Sequence, residues 1–379
     1  MIYFDNAASG GRKPDCVQSA VCSAVKVCAN PGRSGHKLAL ACALTVEEAR
    51  KALNDFFNGY GFDRTVFTKN CTEALNIALF GVLKKGDHVV TTPMEHNSVL
   101  RPLERLKRAG VITYDVCPLS NDGNVAPQAI ASLIKRNTRL IAVTAASNVT
   151  GATPPLKAIR AVIPKPVLFL CDGAQGGGHV PIDMQGAGID LLTLAGHKGL
   201  MAIQGSGALL FSERVDPAPL LFGGTGSLSV SLDMPDFYPD ALEAGTVSYP
   251  AIVSLLEGVR YLSQRFSSAR ERTLALTSYL IEGLKNIQGY RLYANPNESG
   301  IVAFSHERLQ SEAIAGALSA RFDIAVRGGL HCAPLMHQAL GTLDNGLVRA
   351  SFSHFNDVKE IDELLSALKI LENEPSDLL

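Results

Sequence analysis

Six short apolar or β-branched segments alternate with amphipathic helical stretches through the first two thirds of the chain, and that alternation narrows the choice of fold more than any other feature. The segments are RTVFT, DHVVTT, ITYDV, RLIAVTAAS, VLFLCD and LLTLAG, and most close on a small or polar residue. Between them, TEALNIALFGVLKKG carries Leu75, Ala78, Leu79 and Val82 at helical spacing, with Gly86 as a stop. Strands separated by helices imply a mostly parallel sheet sandwiched by helices. Such α/β sheets hold their ligands at the carboxyl ends of the strands.

After about residue 255 the texture changes to long charged amphipathic helices, then YRLYA, GIVAFSH, DIAVRGG and LVRASFS as strands, and a closing helix from about Asp357. This reads as a smaller C-terminal α+β domain. The organisation expected is an N-terminal segment over 1–18 packing near the small domain, a large domain over 19–254 and the small domain over 255–379. With 379 residues there is room for two cores. A formal net charge of -1 offers no electrostatic case for nucleic acid or an anionic membrane as partner. MIYFDNAASGG lacks a basic stretch followed by an apolar one, and no apolar run approaches bilayer length, so the expected location is the cytoplasm. Eight cysteines are too sparse for a disulfide scaffold, and none form a CxxC pair. Most are expected to be small buried residues, and Cys16, Cys22 and Cys28, spaced every six residues, read as packing.

Chemistry gathers where strands end. LLTLAGHKG runs an apolar segment into His197 and Lys198. An ammonium there must pair with a carboxylate or shed its proton, and a neutral lysine amine is a nucleophile. VLFLCD ends in Asp172 on the preceding strand, so an acid and an amine share one rim; alone, such an aspartate reads as an ion pair or a helix cap. FTKNCTEALN passes from strand to helix near Thr72, where the free N–H groups of the first turn, the Thr72 hydroxyl and the helix dipole suit an anion cradle; alone, the same residues read as plain N-capping. His96 and Asn148 follow two more strands, an imidazole able to stack on a planar ring and a neutral amide beside it. A cradle for an anion, a stacking ring, a carboxylate and a lysine together suit pyridoxal 5'-phosphate: the lysine captures the aldehyde, the carboxylate keeps the ring nitrogen protonated and the cradle holds the phosphate.

The motifs YFDNAAS, NPGRSGH, TEALN, MEHNSV, SNVTG, DGAQ, GHKG, EAGT, GLHCAPL and VRASFS occur in the order found in cysteine desulfurases and selenocysteine lyases, and nearly the whole chain resembles that family. The resemblance implies the class V aminotransferase form of the type I fold of pyridoxal-phosphate enzymes. It implies that Lys198 joins the cofactor, Asp172 faces its ring nitrogen, Gln175 bonds its ring hydroxyl, His96 stacks, Asn148 supports, and Cys71, Thr72 and His197 hold the phosphate. Thr246 is expected to reach the phosphate of a neighbouring subunit, making a homodimer with shared active sites. Arg349 would clamp the substrate carboxylate near Ala7 and Asn148. Cys332 matches the family's persulfide-forming cysteine; a Gly-rich turn beside His331 suits an accessible thiol, while chelation by His331 and His337 would need more ligands than the loop offers.

The implied activity is conversion of L-cysteine to L-alanine with sulfur transferred to Cys332, Lys198 acting as base on the Cα proton and His96 as the candidate proton donor, and with a sulfur-acceptor protein as a further partner. L-selenocysteine as substrate, a class V aminotransferase and a catalytically silent scaffold are the rivals. Two departures from the family stand out. Ala195 replaces the hydroxyl residue that usually precedes GHK, and GLMAIQGSG lacks the Gly-Pro that often follows the lysine.

Overall fold

A computed structural model describes residues 1–27 and 29–373. Its strands are β1 (Ile2–Tyr3), β2 (Thr65–Thr68), β3 (Asp87–Thr91), β4 (Ile112–Val116), β5 (Thr138–Thr144), β6 (Leu168–Asp172), β7 (Leu191–Ala195), β8 (Gly207–Phe211), β9 (Tyr290–Leu292), β10 (Ile301–His306), β11 (Ile324–Ala325) and β12 (Val348–Ser351). Seven of them form one sheet in the order β2-β8-β7-β6-β5-β3-β4. All its pairings are parallel except the two made by β8, which is antiparallel to β7 and β2. β2 therefore runs the same way as β7, and its end joins the common rim.

The continuous apolar runs follow from burial on both faces. Successive side chains point to opposite sides, so Leu168 and Leu170 enter one hydrophobic cluster while Phe169 and Cys171 enter the other. Helices Cys71–Val82 and Asn97–Arg108 cover the first, with Leu75, Ala78, Leu79 and Val82 buried as their spacing requires. Helices Lys37–Phe56 and Tyr249–Ser263 cover the second. GALLF, the strand β8, was not expected: it follows a glycine-containing loop and pairs back on β7 without an intervening helix. The β6-to-β7 connection likewise crosses in turns instead of a helix.

A third cluster joins helices Phe266–Lys285 and Val358–Glu372 to the antiparallel sheet β12-β10-β9. The chain's start belongs to it, for β1 pairs with β11 and Phe4 packs edge-on against Phe352. The closing helix is capped by Asp357, whose side chain accepts from the Glu360 N–H in a capping box. The helix Asp15–Val27 corrects one expectation: Cys16 and Cys22 are exposed on it, because Val17 and Ala24 form its buried stripe, while Cys28 lies outside the described residues. Cys42, Cys71, Cys117 and Cys171 are buried as expected. No helix among the described residues is long and apolar enough to cross a membrane.

The EAGT loop is tied to the large sheet by a buried ion pair. Arg50 meets Glu243 at 2.7 Å, and the same carboxylate accepts the Phe67 N–H of β2 at 2.6 Å. Removing one partner strands a buried charge. Glu243→Ala is expected to cost about 3–5 kcal/mol in chemical denaturation, whereas simultaneous Arg50→Met and Glu243→Leu replacement should recover much of that loss.

Candidate active site

The rim where β2, β3, β5, β6 and β7 end encloses a cavity of ≈ 230 Å³. Ten of the twelve expected site residues line it: Ala7, Cys71, Thr72, His96, Asn148, Asp172, Gln175, His197, Lys198 and Arg349. The topology explains the convergence. Asp172 is the last residue of β6 and sits in register with Thr193 of β7, so the turn carrying Lys198 leaves the sheet on the same side. Two turns then cross at backbone contact. A Cβ on Gly199 would lie 2.3 Å from the Gly177 carbonyl oxygen, and one on Gly178 would lie 2.4 Å from Gly199, so this crossing needs glycine on both turns.

The Lys198 side chain has no hydrogen bond or ion pair among the described residues. Burial lowers its amine below the ordinary lysine value; Asp172 opposes the shift, and Arg349 and Arg327 add to it. The Asp172 carboxylate is oriented through one oxygen. Oδ1 accepts the Ala174 N–H at 2.9 Å and meets the Cys71 sulfur at 3.4 Å.

His96 caps the helix Asn97–Arg108, its Nδ1 accepting the Ser98 N–H at 3.0 Å. A backbone N–H can only donate, so the ring proton resides on Nε2. Burial, reinforced by the charge of Lys198, brings this imidazole down to about 4. In the resting site it is a neutral ring able to stack and to donate one hydrogen bond; to act as a proton donor it must first be protonated. Burial and the Lys198 and Lys13 charges similarly hold His197 at about 4.

The helix Cys71–Val82 begins at the cavity. Its cap, Asn70, takes the Glu73 N–H at 2.9 Å, which leaves the N–H groups of Cys71 and Thr72 without an acceptor among the described residues. The Thr72 and Ser98 hydroxyls meet at 2.9 Å beside them. Among the described residues seven buried side-chain polar atoms lack a partner, and five belong to lining residues: Asn148 Oδ1, Gln175 Oε1, His197 Nδ1, His331 Nδ1 and Arg349 Nε. Gln175 and Asn148 are each held by their amide nitrogens, to Ala7 O at 2.8 Å and His331 O at 2.6 Å, so their oxygens are the free ends. Buried polar atoms left unpaired in such number mark a place built for a ligand.

Arg349 is buried and already engaged, donating to Asp5 at 2.9 Å and to the Asn148 carbonyl at 3.0 Å. Its β-bridge partner Arg327 lines the cavity too. Sequence reasoning passed over Arg327 and Ser98, and weighed His331 only as a neighbour of Cys332 and a candidate chelator. The first lies in VRGGL one motif away from Arg349, and Ser98 sits in the very MEHNSV string that supplied His96.

Two expected residues lie outside the lining. Thr246 is exposed and lines a separate cavity with Lys69, Gly205 and Leu221. Cys332 is exposed, one residue beyond His331. Both His331 and Cys332 adopt positive φ, 50° and 59°, a conformation that costs non-glycine residues on the order of 1–3 kcal/mol each.

The class-V aminotransferase family model matches residues 2–364. This chain belongs to that family. Within the class-V aminotransferases, a probable cysteine desulfurase of Methanothermobacter thermautotrophicus is 32% identical, covering 97% of this chain and 94% of its own length. One from Pyrococcus abyssi is 30% identical, over 98% of this chain and 94% of its own. The solved apo structure of the Thermococcus onnurineus NA1 cysteine desulfurase gives a TM-score of 0.90 at 31% identity, covering 100% of this chain and 95% of that one. The Escherichia coli cysteine desulfurase CsdA, solved in an S-sulfonic acid form, gives 0.87 at 26% identity over 97% and 94% of the two chains.

Behind Asp172 lies a second carboxyl group. Glu95 is fully buried; its Oε1 accepts from Thr92 Oγ1 at 2.7 Å and from the Thr144 N–H at 2.9 Å, and Oε2 has no partner. Burial, with Asp172 nearby, raises it to about 8. The folded protein therefore holds a proton that the unfolded chain releases near the ordinary glutamate range, and stability falls as pH climbs from there through 8. Glu95→Gln removes this loss: thermal melts should show the variant gaining on the wild type by roughly 2–4 kcal/mol above pH 8, and no such gain near pH 4.

Proposed function

We propose that this protein is a pyridoxal 5'-phosphate-dependent cysteine desulfurase that converts L-cysteine to L-alanine and leaves the sulfur on Cys332 as a persulfide. One observation carries the reading: an unpaired, buried lysine amine shares a cavity with Asp172 and Arg349, and an exposed cysteine stands one residue outside its wall. The relatives named cysteine desulfurases support it across the full chain.

The cavity's own chemistry fits the cofactor. The free N–H groups of Cys71 and Thr72 and the hydroxyls of Thr72 and Ser98 would hold a phosphate, which Ala195 leaves without one further hydroxyl. Asp172 would face the ring nitrogen, Gln175 Oε1 would accept from the ring hydroxyl, and neutral His96 would stack. When bound, pyridoxal phosphate supplies an aldehyde that joins amines covalently and a ring that takes up the electron pair left at Cα.

Lys198 then takes the Cα proton, a task its lowered basicity suits because the amine is free more of the time. Arg349 and Arg327 bind the substrate carboxylate, with Arg349 Nε still unpaired while Asp5 holds the other arm. The Cys332 sulfur attacks the substrate sulfur as its bond to Cβ breaks. An S–S bond forms, the carbon chain takes up a proton and leaves as alanine, and the thiol proton is released to solvent or to the site's bases. One L-cysteine and one enzyme thiol give one alanine and one enzyme persulfide. Exposure of Cys332 lets an acceptor protein or a small thiol reach that persulfide.

Assay of alanine and sulfide from L-cysteine with a reductant tests the proposal. Wild-type protein should make both. Cys332→Ala should lose both while keeping the cofactor's visible absorption, and Lys198→Ala should lower the rate roughly 10²- to 10⁴-fold. Alanine formation unchanged in Cys332→Ala would contradict the sulfur transfer.

We also infer a homodimer in which Thr246 of the partner subunit completes each phosphate site. Support comes from the tract before EAGT, where Phe222 is 76% exposed and Val230 and Leu232 are fully exposed at 100% and 105%, more apolar surface than a lone chain usually leaves to water. Sedimentation should give twice the chain mass, and Leu232→Glu with Val230→Glu should shift it toward one.

A further inference from the structure

The site holds one chemically unusual neighbour of Asp172 that the proposed reaction does not use. Cys71 lies at the start of the helix Cys71–Val82, is buried and lines the cavity, and its sulfur stands 3.4 Å from both Asp172 Oδ1 and Thr193 Oγ1. Burial, with the Asp172 charge beside it, pushes this thiol far above its ordinary value, so it carries its proton. A thiol has one hydrogen and a carboxylate can only accept. The S–H therefore points to Asp172 Oδ1, and the Thr193 hydroxyl donates to the sulfur. Thr193 is itself fully buried on β7, the strand that leads to Lys198.

We propose that Cys71 is a positioning residue for Asp172: with Thr193 behind it, its thiol fixes Oδ1, so that Oδ2 is the oxygen presented to the ring nitrogen of a bound pyridoxal phosphate. This rests on the cofactor reading above. The geometry supports it from two sides. Among the described residues both bonds that reach the carboxylate, from Ala174 N–H and from Cys71, end on Oδ1, and none ends on Oδ2. Independently, Gln175 Oε1, 3% exposed by residue and without a partner among the described residues, belongs to the same cavity lining and is free for a ligand.

The thiol also suits its surroundings. Cys71 packs in the apolar cluster with Leu75, Ala195 and Leu209, where a hydroxyl would cost more to desolvate than a sulfur. Ala195, the departure that strips a hydroxyl from this wall, keeps the neighbourhood apolar. A weak, polarizable donor to the carboxylate fixes its rotation without withdrawing much of its charge, and that charge is what holds a proton on the ring nitrogen.

Purified Cys71→Ala, Cys71→Ser and wild type, stripped of cofactor and titrated with pyridoxal phosphate, test the assignment. The alanine variant should bind roughly threefold to tenfold more weakly, show an altered visible absorption band when loaded, and lose kcat with KM for L-cysteine little changed. The serine variant, which retains a donor, should recover most of each effect, and thermal melts should place both near the wild type. Should alanine unfold the site, valine replaces it, matching the thiol's volume without a donor. In an Asp172→Asn background the Cys71→Ala effect should shrink, since the charged acceptor is gone. Identical affinity, band and kcat in Cys71→Ala, or no recovery by serine, overturns the assignment of Cys71. Failure of the wild type itself to take up the cofactor overturns the proposed function instead.

Discussion

The parallel pairing of β6 with β7 is the constraint on which the remainder of the molecule depends. Asp172 is in register with Thr193, and both strands are buried on both faces, so neither can slip without turning Leu170 or Leu192 to the wrong cluster. That register delivers the carboxylate and the Lys198 turn to one rim. The crossing of Gly178 against Gly199 locks the second turn over the first at a separation no side chain permits. An amine is thereby held in a place where its charged form is disfavoured, and the fold, not a neighbouring base, makes it nucleophilic.

Electrostatics then divide the cavity. On one wall Arg349 and Arg327 supply positive charge, and they lower the amine and, after burial, bring His331 down to about 2, so the imidazole beside Cys332 is neutral. On the other, Asp172 supplies the negative charge, with Glu95 behind it kept protonated. Burial is the main cause that keeps the proton on Glu95, and the Asp172 charge adds to it. The result is a site with one anion facing a cationic wall, an arrangement suited to a zwitterionic amino-acid substrate.

Much of this was legible in the sequence because strand ends announce themselves: an apolar run stopping at Asp172, another stopping before Gly196, and a helix cap after β2 each carry their own local signal. What stayed hidden needed tertiary pairing. β8 gave no warning of its direction, since GALLF reads the same parallel or antiparallel. Arg327 became visible only when its backbone bridged Arg349. Cys16 and Cys22 misled because a six-residue spacing drifts off any one helical face, so the stripe that packs is Val17 and Ala24. The bond from Cys71 to Asp172 spans 101 positions and joins two motifs that each seemed complete.

The loop that carries Cys332 is tied to the cavity through its backbone. Two successive side chains in left-handed conformation are held there by their carbonyls: Asn148 donates to His331 O at 2.6 Å, and the Asn97 N–H donates to Cys332 O at 2.7 Å. Asn148 lines the cavity, and Asn97 stands between the lining residues His96 and Ser98. A strained turn persists only while such anchors outweigh its strain.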